Sequence, residues 1–265
     1  VATRVYAGNG ALLAEFATQK RLFVPVKAMP PQLLHAFLSA EDKSFLTHPG
    51  VDPVALVRAI LTNLAALGTG RRPIGASTIT QQVAKNFLLT NELSFDRKIK
   101  EAILAIRMER AFSKQQILAL YLNEIYLGYG SFGVAAAALN YFDKALDQLE
   151  LHEMAYLAAL PKAPSNYHPT RRTKAALGRR NWVLRQMQEN GYITAEQTAL
   201  AGSKPLDVKK ASGSDSANAP YFTEEVRREL AETYGTKALY EGGLSVRTTI
   251  DPQLQMNAER ALREG

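Results

Sequence analysis

Pro31-Gln-Leu-Leu-His-Ala-Phe-Leu-Ser-Ala-Glu-Asp-Lys-Ser-Phe-Leu-Thr-His-Pro-Gly50 is the stretch whose spacing decides the fold. Leu34, Phe37 and Leu38 recur at i, i+3 and i+4, the repeat of one helical face, and Glu41 continues that stripe at i+7. A carboxylate on an apolar stripe sits where burial disfavours its charged form, which gives a glutamate the proton affinity of a general base. A paired structural carboxylate fits the same spacing. Asp42, Phe45 and His48 complete the run, and a single histidine in such a place holds a loop more often than it performs catalysis.

Outward from this stretch, helical periodicity continues to Asn190, in segments near 32–47, 53–67, 77–89, 95–111, 114–126, 131–141, 149–160 and 173–190. The fold class is therefore mainly α. Strand signals fall at the two ends. Val5 precedes Gly8-Asn9-Gly10, and Leu12, Leu13 and Phe16 follow it, as in a hairpin. Leu244, Val246 and Ile250 alternate as in a strand, and Asp251-Pro252 reads as an N-cap followed by proline at the first helical position. The small polar residues 211–219 read as a linker, with a helix from Tyr221 to Tyr234 after them. Gly265 falls inside or just after a helix, which points to more protein beyond it.

With 265 residues and 46% apolar content, the chain can bury a sizeable core. Lys and Arg number 32 against 25 acidic residues, and the net charge of +7 favours an anionic partner. No cysteine is present, so a disulfide framework and a thiolate metal site are both excluded. No run is long and apolar enough to span a bilayer. Val54 to Leu67 is apolar apart from Arg58, Thr62 and Asn63, and it runs into Gly68, Gly70, Arg71 and Arg72. It reads either as a core helix or as an interfacial helix whose basic end meets lipid headgroups.

Two further stretches carry chemistry. In Gly75-Ala-Ser-Thr-Ile-Thr-Gln-Gln-Val-Ala-Lys-Asn86, a helix starting near an N-cap Ser77 puts Thr78, Gln81, Gln82 and Lys85 on one face, with Ile79 and Val83 toward the core. Such a face offers sugars and phosphates the donors they need, and the helix start favours an anion. An ordinary solvated face is the bland alternative. In Arg97-Lys-Ile-Lys-Glu101, two cations share a face with one carboxylate while Ile99, Ile103 and Ile106 turn inward; an exposed ion pair would look the same. Asn123 reads as a tie between helices, and Arg179, Arg180 and Arg185 beside Trp182 as solvated surface.

In this order the segments resemble the signature motifs of the family 51 peptidoglycan glycosyltransferases, the glycan-polymerising domain of class A penicillin-binding proteins. The resemblance rests on Glu41-Asp42 with Phe45, His48 and Gly50; Gly75 with Ser77 to Gln82, Lys85 and Asn86; Arg97-Lys98 with Glu101; Ile117-Leu118 with Tyr121 to Asn123; and Arg179-Arg180-Asn181 with Val183, Leu184 and Met187. Leu160 to Ser165 is similar to the family too. The resemblance implies a lysozyme-like two-lobed helical domain over 21–205, after an N-terminal hairpin segment over 1–20. It makes 206–265 the approach to a transpeptidase domain whose motifs are absent from this sequence. It also implies Glu41 and Glu101 as catalytic residues, and Asp42, Ser77, Thr78, Gln81, Gln82, Lys85, Asn86, Arg97 and Lys98 as substrate-binding ones. The implied partners are lipid II, the growing strand on undecaprenyl pyrophosphate, the membrane surface and moenomycin-type inhibitors. No cofactor is required, although a divalent cation such as Mg at the pyrophosphate fits the chemistry. The implied location is the external face of a bacterial cytoplasmic membrane. Leu93 departs from the pattern, because many relatives carry an arginine there.

A glycan-cleaving enzyme of lysozyme-like fold is the competing reading, but it must protonate a sugar leaving group. Cations around Glu101 suit a pyrophosphate leaving group better. An inactive scaffold or a nucleic-acid binder draws on charge alone, without a recognisable motif or interleaved aromatics.

Overall fold

The computed structural model describes residues 3–16, 20–66, 75–88, 95–208 and 219–264. Leu93, the Gly68 to Arg72 run and the linker residues 211–218 lie outside them. The chain divides into two compact units, Arg21–Val208 and a second one made of Val1–Lys20 with Lys209–Gly265.

The larger unit is helical: α1 (Pro31–Glu41), α2 (Pro53–Ala65), α3 (Ile79–Leu88), α4 (Phe95–Ala111), α5 (Lys114–Glu124), α6 (Val134–Phe142), α7 (Leu151–Ala159), α8 (Thr173–Glu189) and α9 (Ala195–Ser203). From His152 to Ala159 every residue of α7 is buried, including Glu153, which pairs with Lys144. It packs against both α1 and α8. Leu33, Phe37, Ile117, Leu122, Tyr156, Leu157, Val183 and Leu184 fill the core around it. Asn123 joins the segment before α1 to α5, accepting from Val24 N–H at 2.7 Å and donating to Val24 O at 2.9 Å. The tie expected of it is present, but it runs from α5 to a non-helical segment and not to a second helix.

The smaller unit holds the three-stranded sheet. Strand Thr3–Tyr6 pairs antiparallel with Leu12–Phe16 across the Gly8-Asn9-Gly10 turn, and parallel with Ser245–Arg247. Gly10 has φ +86°, a conformation that glycine reaches without strain. Val5 and Leu13 bury against Leu230 of α10 (Pro220–Tyr234) and Leu239 of α11 (Thr236–Glu241). Asp251 Oδ1 accepts from Gln253 and Leu254 N–H, capping α12 (Pro252–Glu264) as its sequence position implies. The mainly helical class with a small terminal sheet is thus what the chain adopts.

Two expectations, and one of two alternatives for a third segment, fail on long-range grounds. First, α1 ends at Glu41 instead of continuing to 47, because Asp42 turns out of the helix (φ −161°) to bond across to α3. Second, Ile99, Ile103 and Ile106 are 60%, 47% and 37% exposed, whereas Glu101, Ala105 and Met108 form the inward face of α4. Third, α2 is no core helix: Val54, Leu56, Val57, Ile60, Leu61 and Leu64 are all exposed, and only Ala59 is buried. Helices α9 and α11 are absent from the expected segments.

Candidate active site

The site starts from the end of α1. Asp42 is buried, with one carboxylate oxygen accepting from Ile79 N–H at 3.0 Å, at the start of α3. His48 accepts from Gly50 N–H at Nδ1 (3.1 Å), which leaves its Nε2 to donate to Asp42 at 2.9 Å. Burial pushes the Asp42 carboxyl above its usual range, while these bonds to Ile79 and His48 pull the other way. His48 Nε2 also lies 3.1 Å from the second oxygen of Asp42, so both oxygens are engaged by protein groups, and the residue lines the cleft described below.

The next link is Gly50, whose φ is +100°. A Cβ there would lie 2.7 Å from the carbonyl oxygen of Ala105, so only glycine lets this loop close on α4. Thr78 donates from Oγ1 to Gly50 O at 2.6 Å and accepts from Gln81 N–H at 3.1 Å. Gln81 in turn accepts from Thr78 N–H at Oε1, 3.0 Å. This reciprocal pair is a capping box, so Thr78 and not Ser77 caps α3. Thr78 and Gln81 are both buried, and the single polar face expected of Thr78, Gln81, Gln82 and Lys85 does not form.

Freed from the cap, Ser77 is part of the cleft. It accepts from Lys98 Nζ at 2.9 Å, and Lys98 also donates to Glu101 Oε1 at 2.7 Å. Glu101 is 1% exposed, with Oε2 unpartnered among the described residues. Arg97 is half-buried beside this pair in sequence, and Lys85 and Asn86 stand exposed on α3.

Glu41 and Ser77 line one cleft of about 270 Å³, together with Asp52, Arg58 and Gln186. Gln82 donates from Nε2 to Glu41 Oε2 at 3.0 Å. Burial raises the proton affinity of Glu41 above the ordinary glutamate value; the Gln82 bond and the charges of Arg179 and Lys162 oppose that shift, and Asp42 adds to it. The carboxylate is thus poised as a proton acceptor. A wall of the cleft is built by α2, whose N-cap Asp52 accepts from Ala55 N–H at 2.9 Å and from the Ser44 hydroxyl.

Two cations near Glu41 escaped the sequence reading. Arg179 is half-buried with its guanidinium 3.8 Å from the centre of the Trp182 ring, and it favours the charged form of Glu41. Lys162 acts likewise from the segment between α7 and α8. Arg180 is not solvated surface either. At 1% exposure it donates to Gly202 O (2.8 Å) and Lys204 O (2.7 Å), holding the C-terminal end of α9, where a cation is favoured.

A helical domain carrying an acid, an amide and cations along one cleft suits glycosyl transfer. The transglycosylase family model matches residues 9–188, and the chain belongs to that family. Penicillin-binding protein 1A of Aquifex aeolicus is 48% identical over 264 residues, covering 100% of this chain and 36% of that protein. The proteins of the same name from Rickettsia felis and Escherichia coli are 46% and 44% identical, covering 99% and 98% of this chain but 33% and 30% of their own lengths. The chain thus spans about a third of these relatives. A crystal structure of penicillin-binding protein 1A from Haemophilus influenzae aligns with a TM-score of 0.58 at 30% identity, over 98% of this chain and 28% of that one.

Proposed function

We propose that this chain polymerises lipid II into β-1,4-linked glycan, with Glu41 as general base. The observation that carries the reading is that Glu41 and Ser77 line the same cleft while Ser77 accepts a hydrogen bond from Lys98. A proton acceptor and a cation therefore serve one groove. The 4-hydroxyl of the acceptor N-acetylglucosamine gives its proton to Glu41 as its oxygen attacks the anomeric carbon of the donor N-acetylmuramic acid. The bond from that carbon to the undecaprenyl pyrophosphate breaks, and the pyrophosphate leaves with the electron pair, inverting the centre.

Lys98 offsets the charge that develops on the leaving group, with Lys85 and Arg97 as further cations. Glu101 orients Lys98, and Gln82 orients Glu41. Asp42 and Thr78 line the same cleft as Glu41 and, with Gln81, hold the start of α3 in place. Among the described residues no group of three or more His, Cys, Asp or Glu side chains could by itself hold a metal ion, and no step is routed through one.

Among the described residues no helix is long and apolar enough to cross a membrane. The exposed apolar residues of α2 and α4 support docking on the external surface of a cytoplasmic membrane, where lipid II would be met. A gel assay of lipid II polymerisation tests the reading: Glu41→Gln should keep its fold and lose product. Product at near wild-type levels would remove Glu41 from the role of base.

A further inference from the structure

Lys114 and Glu109 carry their charges at the unfavourable ends of their helices. Lys114 is the first residue of α5 and Glu109 lies in the last turn of α4, whereas the helix dipole favours anions at the start and cations at the end. Helix stability does not explain the pair, but its contacts do. Lys114 Nζ donates to Glu109 Oε1 at 2.7 Å and to His48 O at 2.7 Å, and it stands 4.5 Å from the centre of the Phe45 ring. Glu109 Oε1 also accepts from Thr80 Oγ1 at 2.6 Å, in the first turn of α3. The two charged side chains are 24% and 9% exposed, so solvent screens the pair weakly.

These bonds close a ring on Glu41. From Glu41 the chain runs into the loop that holds His48, whose carbonyl Lys114 grips. Lys114 holds Glu109, Glu109 holds Thr80, and two residues further along α3 the Gln82 amide returns to Glu41 at 3.0 Å. Asp42 spans the ring, engaged by His48 on one side and by Ile79 N–H on the other. Neither Lys114 nor Glu109 is among the described residues that line the cleft. We infer that Lys114 and Glu109 are positioning residues for Glu41: their ion pair ties the loop after α1 to the first turn of α3 and so fixes how Gln82 meets the carboxylate. With the pair gone, His48 O and Thr80 lose their shared anchor, and the two arms that converge on Glu41 move independently. A reacting group displaced by about 1 Å forfeits much of the rate that its placement supplies.

The inference rests on Glu41 as the base, and two readouts separate it from that reading. Lys114→Met keeps the stem beside Phe45 and removes the ammonium; combined with Glu109→Gln it leaves no lone buried charge and keeps an acceptor for Thr80. Lys114→Arg is the conservative variant. In the folded double variant kcat for lipid II polymerisation should fall about 10-fold or more while KM stays within about twofold, and Lys114→Arg should keep most of the wild-type kcat. Carboxyl-carbon NMR of Glu41, its signal assigned by loss in Glu41→Gln, should titrate about 0.5 pH unit higher in the double variant, because the Gln82 bond favours the anion. Arg179, Lys162 and Asp42 act on the same carboxylate and are unchanged by these substitutions. A Glu41 titration that superimposes on wild type overturns the inference, as does a loss confined to KM. A titration that moves while kcat stays put upholds the positioning role and rejects Glu41 as the base. Should the double variant fail to fold, Glu109→Gln alone decides by the same two readouts, with smaller changes of the same sign expected.

Discussion

Gln82 on α3 donates from Nε2 to Oε2 of Glu41 on α1 at 3.0 Å, tying together the two helices that meet at the cleft. This amide does two things at once. It fixes the direction of the carboxylate, and it favours the charged form against the burial that disfavours it. Gln82→Leu should remove both, so that a larger fraction of Glu41 is protonated near neutral pH. Polymerisation should fall by about 10–100-fold there, within the usual contribution of one general base. The loss should shrink as pH rises. Rates that drop equally at every pH would show that the amide serves only geometry.

The raised proton affinity of Glu41 also has a sign in stability. Its folded-state value lies above the unfolded one of 4.5, so ionised Glu41 destabilises the fold, fully so above the folded-state value and not at all below the unfolded one. Glu41→Gln removes the charge at all pH. The variant should melt above wild type near neutral pH, and the two melting temperatures should converge in acid below the ordinary glutamate range. Calorimetry at the two ends of this window checks it. A variant less stable than wild type at neutral pH would mean that the carboxylate holds the fold together instead of being held by it.

Thr78 closes the α3 capping box and also donates to Gly50 O in the loop that packs on α4. Thr78→Ala should cost about 2 kcal/mol, the upper range for a lost cap, because it leaves a buried carbonyl unpaired as well. Thr78→Ser keeps the oxygen and should recover most of the loss. Denaturant midpoints with unchanged slopes provide the measurement. Equal stability of the alanine and serine variants would rule out the cap.

How far this site could be read in the sequence follows from the range of each interaction. Glu41 was legible because its stripe is a local repeat, and α1 keeps that repeat to its last residue. The bonds that Asp42 and Thr78 make to Ile79 and Gly50 were not legible, because those partners lie 37 and 28 residues away and leave no periodic trace. The Thr78 to Gln81 box was readable in principle from its three-residue spacing, as was the one from Thr194 to Gln197 that opens the unexpected helix α9. Arg179 and Lys162 come near Glu41 only through the packing of α8 on α1 and α7, which no local pattern encodes. Periodicity also identified Ile99, Ile103 and Ile106 as one face. It could not say which medium that face meets, since apolar stripes toward a core and toward lipid are written alike.

That last ambiguity carries a prediction. Val57, Leu61 and Ile103 are 56%, 61% and 47% exposed, so polar residues there meet water and leave the core untouched. Val57→Asp with Leu61→Asp on α2, or Ile103→Asp on α4, should change the melting temperature little, as surface substitutions usually do. Each set should nevertheless weaken binding to vesicles containing anionic lipid by about tenfold or more, because a fully inserted Leu, Ile or Val side chain contributes about 1.5–3 kcal/mol. Since the attraction is apolar, moderate salt should not abolish what wild type retains. Cosedimentation with vesicles, read beside calorimetry of the same variants, decides the matter. Wild-type binding by both variants would take the membrane away from these helices. Loss of binding with an intact fold would place the lipid-anchored substrate beside the wall of the cleft that α2 builds.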